Sequence, residues 1–122
     1  MDWLKQFQLF LFDFDGLLVD TESLHYQAYI RVLAKRGVHL DWDFPTFCSI
    51  AHLHATALRE ALYAQWPTLD PNWDQLYAEK KRIYLELIDA GPLSLMPGVA
   101  PLLSALAEQN IRRCVVTHFP RP

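Results

Sequence analysis

The sequence predicts an α/β fold in which two parallel strands are separated by a long helical insert. Three observations carry this. An apolar run, Leu9 to Phe12, stops at two aspartates one residue apart, Asp13 and Asp15, with Gly16 behind them. A short all-apolar run bounded by turn residues reads as a strand of a buried parallel sheet. A second such run, Cys114 to Val116, lies within the stretch Ile111 to Thr117. Between the two, from about Glu22 to Ala90, apolar residues recur at helical spacing, over far more chain than one strand crossover needs.

In chain order, Met1 to Phe7 leads into a first strand at Gln8 to Phe14. Gly16 to Asp20 is a loop. Thr21 is placed to cap a helix, with Glu22 in the first turn where the dipole favours an anion. That helix puts Tyr26, Tyr29, Ile30 and Leu33 on one side and ends at Gly37, with Lys35 and Arg36 near its end. Asp43-Phe44-Pro45 starts a short helix containing Phe47 and Ile50. A third helix covers Leu53 to Gln65, with Leu58, Ala61 and Leu62 inward. Asp70 and Pro71 open a long helix whose stripe holds Trp73, Leu76, Tyr77, Tyr84 and Leu87. This aromatic stripe reads as core, and Glu79, Lys81, Arg82 and Glu86 read as a solvated face. Gly91-Pro92 breaks the helix, and Met96-Pro97-Gly98 makes a turn. Val99, Leu102, Leu103 and Leu106 then form an amphipathic helix closed by Asn110, ahead of the second strand.

The composition suits a packed core. Hydrophobic residues make up 52% and charged residues 20% of the chain, which excludes a disordered composition. The net charge is -3, with no basic cluster, so a nucleic-acid partner is not expected. No apolar run is long enough to span a membrane, and the N-terminus lacks the pattern of a signal peptide. Cys48 and Cys114 show no metal-binding spacing and read as thiols of a cytoplasmic protein, with a disulfide between them as the alternative reading.

Ligands of open α/β sheets bind at the carboxyl ends of the strands, where Asp13 and Asp15 fall. Alternate residues share a face only while a strand continues. Gly16 lets the chain turn, so the two carboxylates can converge from different directions.

The run Asp13-Phe14-Asp15-Gly16-Leu17-Leu18, at the end of an apolar strand, resembles motif I of the haloacid dehalogenase-like hydrolases. The continuation Asp20-Thr21-Glu22 with His25 resembles the branch of sugar-phosphate phosphatases and β-phosphoglucomutase. The resemblance implies a partial Rossmann-like core, residues 1–20 and 91–122, with an inserted α-helical cap domain, residues 21–90. It implies phosphoryl transfer to Asp13 as nucleophile, with Asp15 as general acid and base. Asp13 and Asp15 would also hold Mg2+, through carboxylate and backbone oxygen, and the substrate would be a small phosphorylated metabolite. The dehalogenase branch lacks the second aspartate, so Asp15 favours phosphoryl transfer.

Gly16 and Thr117 are assigned to the phosphate. Thr117 resembles motif II, although a turn or cap role is as common for a hydroxyl after a strand, and His118 follows where the family pattern has Asn. His25 is either a hydrogen-bonding neighbour of the acid/base aspartate or an ordinary exposed helix residue. Arg59 is either a cap contact to substrate or a surface residue. His52 and His54 have no carboxylates at ligand spacing and read as polar residues at a helix start. The family's motif III lysine and motif IV acidic residues have no counterpart after Thr117. Weak or no turnover is therefore expected of the 122-residue chain. Three readings follow: a phosphatase lineage, a phosphomutase of the β-phosphoglucomutase type, or a truncated non-catalytic binding module. Exposed core surface makes self-association an expectation too.

Overall fold

The first strand, β1 (Leu9–Asp13), and the second, β2 (Arg112–Val116), pair in parallel, with Leu9 opposite Arg112 and Asp13 opposite Val116. The computed structural model describes residues 1–117. Five α-helices lie between the strands: α1 (Glu22–Ala34), α2 (Phe44–Ala51), α3 (Ala57–Gln65), α4 (Trp73–Ala90) and α5 (Val99–Glu108). The chain divides into two compact units. One is Met1–Thr21 with the described residues from Leu93 onward, and the other is Glu22–Pro92. Among the described residues no helix is long and apolar enough to cross a membrane.

In the strand-bearing unit, a 3-10 helix at Asp2–Gln6 precedes β1. Leu4, Phe12, Leu18, Val99, Leu106 and Ile111 form its buried core, with Phe10 packed against them. Phe10 and Phe12 share one face of β1 by alternation. The other face carries Leu9 and Leu11, and Leu11 is 62% exposed. Every residue of β2 is exposed. The expectation of buried strands therefore holds for one face of β1 only, because a two-stranded ladder covered on one side leaves the other side open.

Past β1 the chain turns at Gly16, whose φ of +72° is a left-handed value that favours glycine. The Gly16 N–H donates to the Val19 carbonyl at 3.0 Å. Gly16 thus makes the turn, with its amide engaged by Val19. Asp20 N–H donates to the Ser94 carbonyl at 2.9 Å and Met96 N–H to the Leu18 carbonyl at 3.0 Å, which joins this loop to the segment entering α5.

In the helical unit α1 packs chiefly on α4. Ala28, Tyr29, Val32 and Leu33 of α1 are buried, as are Leu76, Ile83 and Tyr84 of α4. Phe47 of α2 and Leu62 of α3 complete the core. The caps follow local chemistry. Asp43 accepts the Thr46 N–H at 2.9 Å and starts α2. Helix α4 is capped by Asn72, which accepts the Gln75 N–H at 3.2 Å. Asp70 instead accepts the Asn72 N–H at 2.9 Å, so it shapes the turn before the helix rather than capping it.

Three further expectations are corrected. Thr21 does not cap α1 through its side chain, because its hydroxyl is buried without a hydrogen-bond partner. Helix α3 begins at Ala57 rather than Leu53, since residues 52–56 form a turn that leaves Leu53 exposed. Glu79 is not simply solvated. It pairs with Arg36 at 2.9 Å and Lys35 at 3.4 Å, the two cations that follow α1.

Candidate active site

Asp13 is the last residue of β1 and is exposed. Its Oδ1 accepts the N–H of Phe14 at 2.8 Å, a local bond that fixes the carboxylate by one oxygen. Asp15 follows two residues later, beyond the strand and half-buried. Its Oδ1 is shut off from solvent with no hydrogen-bond partner. Leaving a carboxylate oxygen unpaired costs on the order of 1–3 kcal/mol or more. Such an orphan asks for a proton donor or a cation.

Thr117 directly follows Val116, the ladder partner of Asp13, so it stands at the same end of the sheet. It is exposed. His118 lies outside the described residues. A cavity of about 340 Å³, lined by Leu11, Phe12, Asp13 and Val116, opens at this end. Asp13 lines this cavity, and Asp15, two residues on, carries the orphan oxygen. They fit a hard cation such as Mg2+, which takes oxygen ligands from one or two carboxylates.

The helical unit has its own cavity of about 410 Å³, with Glu22, His25, His52, Arg59, Tyr77 and Lys80 in its lining. Lys80 is the feature the sequence reading missed. It is only 4% exposed, and its Nζ lies 2.7 Å from His25 Nδ1. The ring centres of Tyr29, Tyr84 and Tyr77 stand 4.9, 5.2 and 5.6 Å from that nitrogen. His25 stacks on Tyr84 with ring centres 4.0 Å apart. The signal was readable, because Lys80 falls at helical spacing within the stripe Trp73, Leu76, Tyr77 and Tyr84. A lysine inside an apolar stripe is rarely buried without a reason. The stripe is also not plain core, since Trp73 and Tyr77 line the cavity and Tyr77 is 46% exposed.

Burial pulls Lys80 down to about 8, against the pull of Glu22 in the other direction. Burial, and then the Lys80 charge, lower His25 to about 4. Near neutral pH the ammonium therefore donates to a neutral imidazole, whose own proton sits on Nε2. His25 is thus a half-buried partner of Lys80, not an ordinary exposed residue. Arg59 is exposed and on the cavity lining.

A pH dependence of stability follows. The folded pKa of His25, about 4, lies below its unfolded value of 6.5, so the unfolded chain binds the proton first as pH falls. Stability is therefore lost between pH 6.5 and 4, by on the order of 1–2 kcal/mol after allowance for solvent screening. Lys80 acts in the same sense higher up, with stability rising as pH passes from about 8 to 10.5. Urea midpoints measured across both windows check this. His25→Asn should flatten the acid limb, and an unchanged limb contradicts the assignment.

His52 is the C-cap of α2 rather than a residue at a helix start, and its Nε2 is 3.5 Å from a Glu22 oxygen. The carboxylate absent at sequence spacing is supplied by α1. His54 pairs with Glu60 at 3.7 Å.

The family model for haloacid dehalogenase-like hydrolases matches residues 7–122. The chain is 32% identical over 120 residues to the plasmid CbbY protein of Cupriavidus necator, covering 90% of this chain and 46% of that protein. It is 29% identical over 113 residues to the phosphorylated carbohydrates phosphatase of Thermotoga maritima, covering 91% of this chain and 50% of that protein. The structure of CbbY from Rhodobacter sphaeroides in complex with phosphate superposes with a TM-score of 0.61 at 28% identity, covering 90% of this chain and 50% of that one. The chain spans about half the length of the curated relatives it matches.

Proposed function

The chain belongs to the haloacid dehalogenase-like hydrolases, and from that premise we propose that it serves Mg2+-dependent phosphoryl transfer from small phosphate esters such as sugar phosphates. The observation that carries this reading is the carboxyl end of β1. There Asp13 is exposed to an incoming ester, and two residues on Asp15 holds a buried oxygen without a partner. The likeness to a phosphorylated carbohydrates phosphatase supports the substrate class.

In the proposed mechanism the Asp13 carboxylate attacks the phosphorus in line and an aspartyl-phosphate forms. The bond to Phe14 N–H restricts rotation of that carboxylate, which favours attack by the other oxygen. Asp15 gives its proton to the leaving oxygen and later takes one from the water that hydrolyses the acyl phosphate. The Thr117 hydroxyl, at the same end of the sheet, donates to a phosphate oxygen. Asp13 and Asp15 would hold Mg2+, which when bound neutralises phosphate charge. The cavity of the helical unit, taken by itself, offers the cations Lys80 and Arg59 to a phosphorylated ligand.

Assay of a panel of sugar phosphates with and without Mg2+ tests the proposal. The expected result is slow, Mg2+-dependent phosphate release. Absence of both phosphate release and Mg2+ binding overturns it.

A further inference from the structure

We propose that Glu22, Cys48 and His52 form a binding site for a thiophilic divalent cation, of which Zn2+ is the type. The three residues lie wholly within the helical unit and are separate from Asp13 and Asp15. Glu22 is the first residue of α1. Cys48 and His52 stand four apart on α2 and its C-cap, where the His52 N–H donates to the Cys48 carbonyl at 3.1 Å and completes the turn. Residues four apart share one face of a helix, so the thiol and the imidazole point the same way. One ligand atom from each residue lies within 4.8 Å of the other two.

The donor set and its spacing agree on the class of ion. Bonds of 2.0–2.3 Å at tetrahedral angles place ligand atoms roughly 3.3–3.8 Å apart. His52 Nε2 and Glu22 Oε2 are already 3.5 Å apart. The His52 side chain is 62% exposed, so rotation that closes the remaining gap meets little resistance. Sulfur and nitrogen donors select zinc-like ions over Mg2+, which prefers oxygen alone. Three protein ligands leave a fourth position for water or an external ligand. Cys48 is half-buried, and binding releases its thiol proton to solvent. Glu22 and His52 also line the 410 Å³ cavity, so the ion would sit at its wall.

Titration of the full chain with Co2+ tests the site through the thiolate-to-cobalt charge-transfer band. The expected result is one equivalent bound with that band, displaced by Zn2+ and untouched by excess Mg2+. Cys48→Ser should remove the band, Cys114→Ser should keep it, and His52→Ala should weaken binding at least tenfold. Far-ultraviolet circular dichroism of each variant confirms that the helices are retained. Co2+ binding without a thiolate band, a band that survives Cys48→Ser, or displacement by Mg2+ overturns the site. None of these readouts depends on phosphatase activity, so they stand apart from the fate of the Asp13 mechanism.

Discussion

Asp13→Asn removes Mg2+-dependent phosphate release while leaving the fold intact. Asparagine keeps the length of the side chain and an oxygen that can still accept the Phe14 N–H, so the turn after β1 survives. It removes the anion proposed to attack phosphorus. Loss of a nucleophile commonly costs 10³-fold or more in turnover, which here means release at background level. The residue is exposed, so the thermal midpoint should move by no more than about 2 °C. Release that survives the substitution would remove Asp13 from the chemistry. Release lost together with the fold would make Asp13 a structural residue.

Lys80→Met should make the chain more stable and the cavity a poorer binder. A charged amine that is 4% exposed carries a desolvation cost, which is why its pKa falls to about 8. Methionine has nearly the same length, and its thioether can rest against Tyr29, Tyr77 and Tyr84. Replacing a buried charge with an apolar group of similar volume commonly stabilises by about 1–3 kcal/mol. Two losses reduce that gain, the attraction of the cation to three rings and the donor to His25 Nδ1. With the ammonium gone, the second cause of the low His25 pKa is gone too, so its titration should move up toward 6.5. Affinity for a sugar phosphate should fall about 10–100-fold, the worth of one charge-assisted contact. Urea denaturation, histidine NMR titration and equilibrium binding read the three effects. A destabilised variant with unchanged ester binding would make Lys80 a structural cation only.

The α/β class, the two strands and the five helical segments were legible because each rests on period and punctuation. Asp43 before Phe44-Pro45, Gly37 after α1 and Gly16 after β1 all act as their local chemistry requires. The errors fall where tertiary placement overrides a local preference. Thr21 has the right residue type for a cap, yet its hydroxyl is buried without a partner. Asp70 and Asn72 compete for one helix start, and spacing to Gln75 decides it. The strand-end carboxylates were readable as a motif, but the orphan oxygen of Asp15 is a property of packing. Lys80 and His25 are 55 residues apart and meet only because α1 packs on α4. Glu22 reaches His52 for the same kind of reason. No spacing rule along the chain links such pairs.

The central claim is that Asp13 takes the phosphoryl group, and trapping the phosphoenzyme tests it most directly. The chain is incubated with Mg2+ and a sugar phosphate labelled at phosphorus, quenched in acid and mapped by peptide mass spectrometry. The expected result is a hydroxylamine-sensitive phosphate on the peptide containing Asp13, absent when Mg2+ is withheld and absent from Asp13→Asn. Phosphate on any other side chain, or ester turnover without a phosphoenzyme, contradicts it.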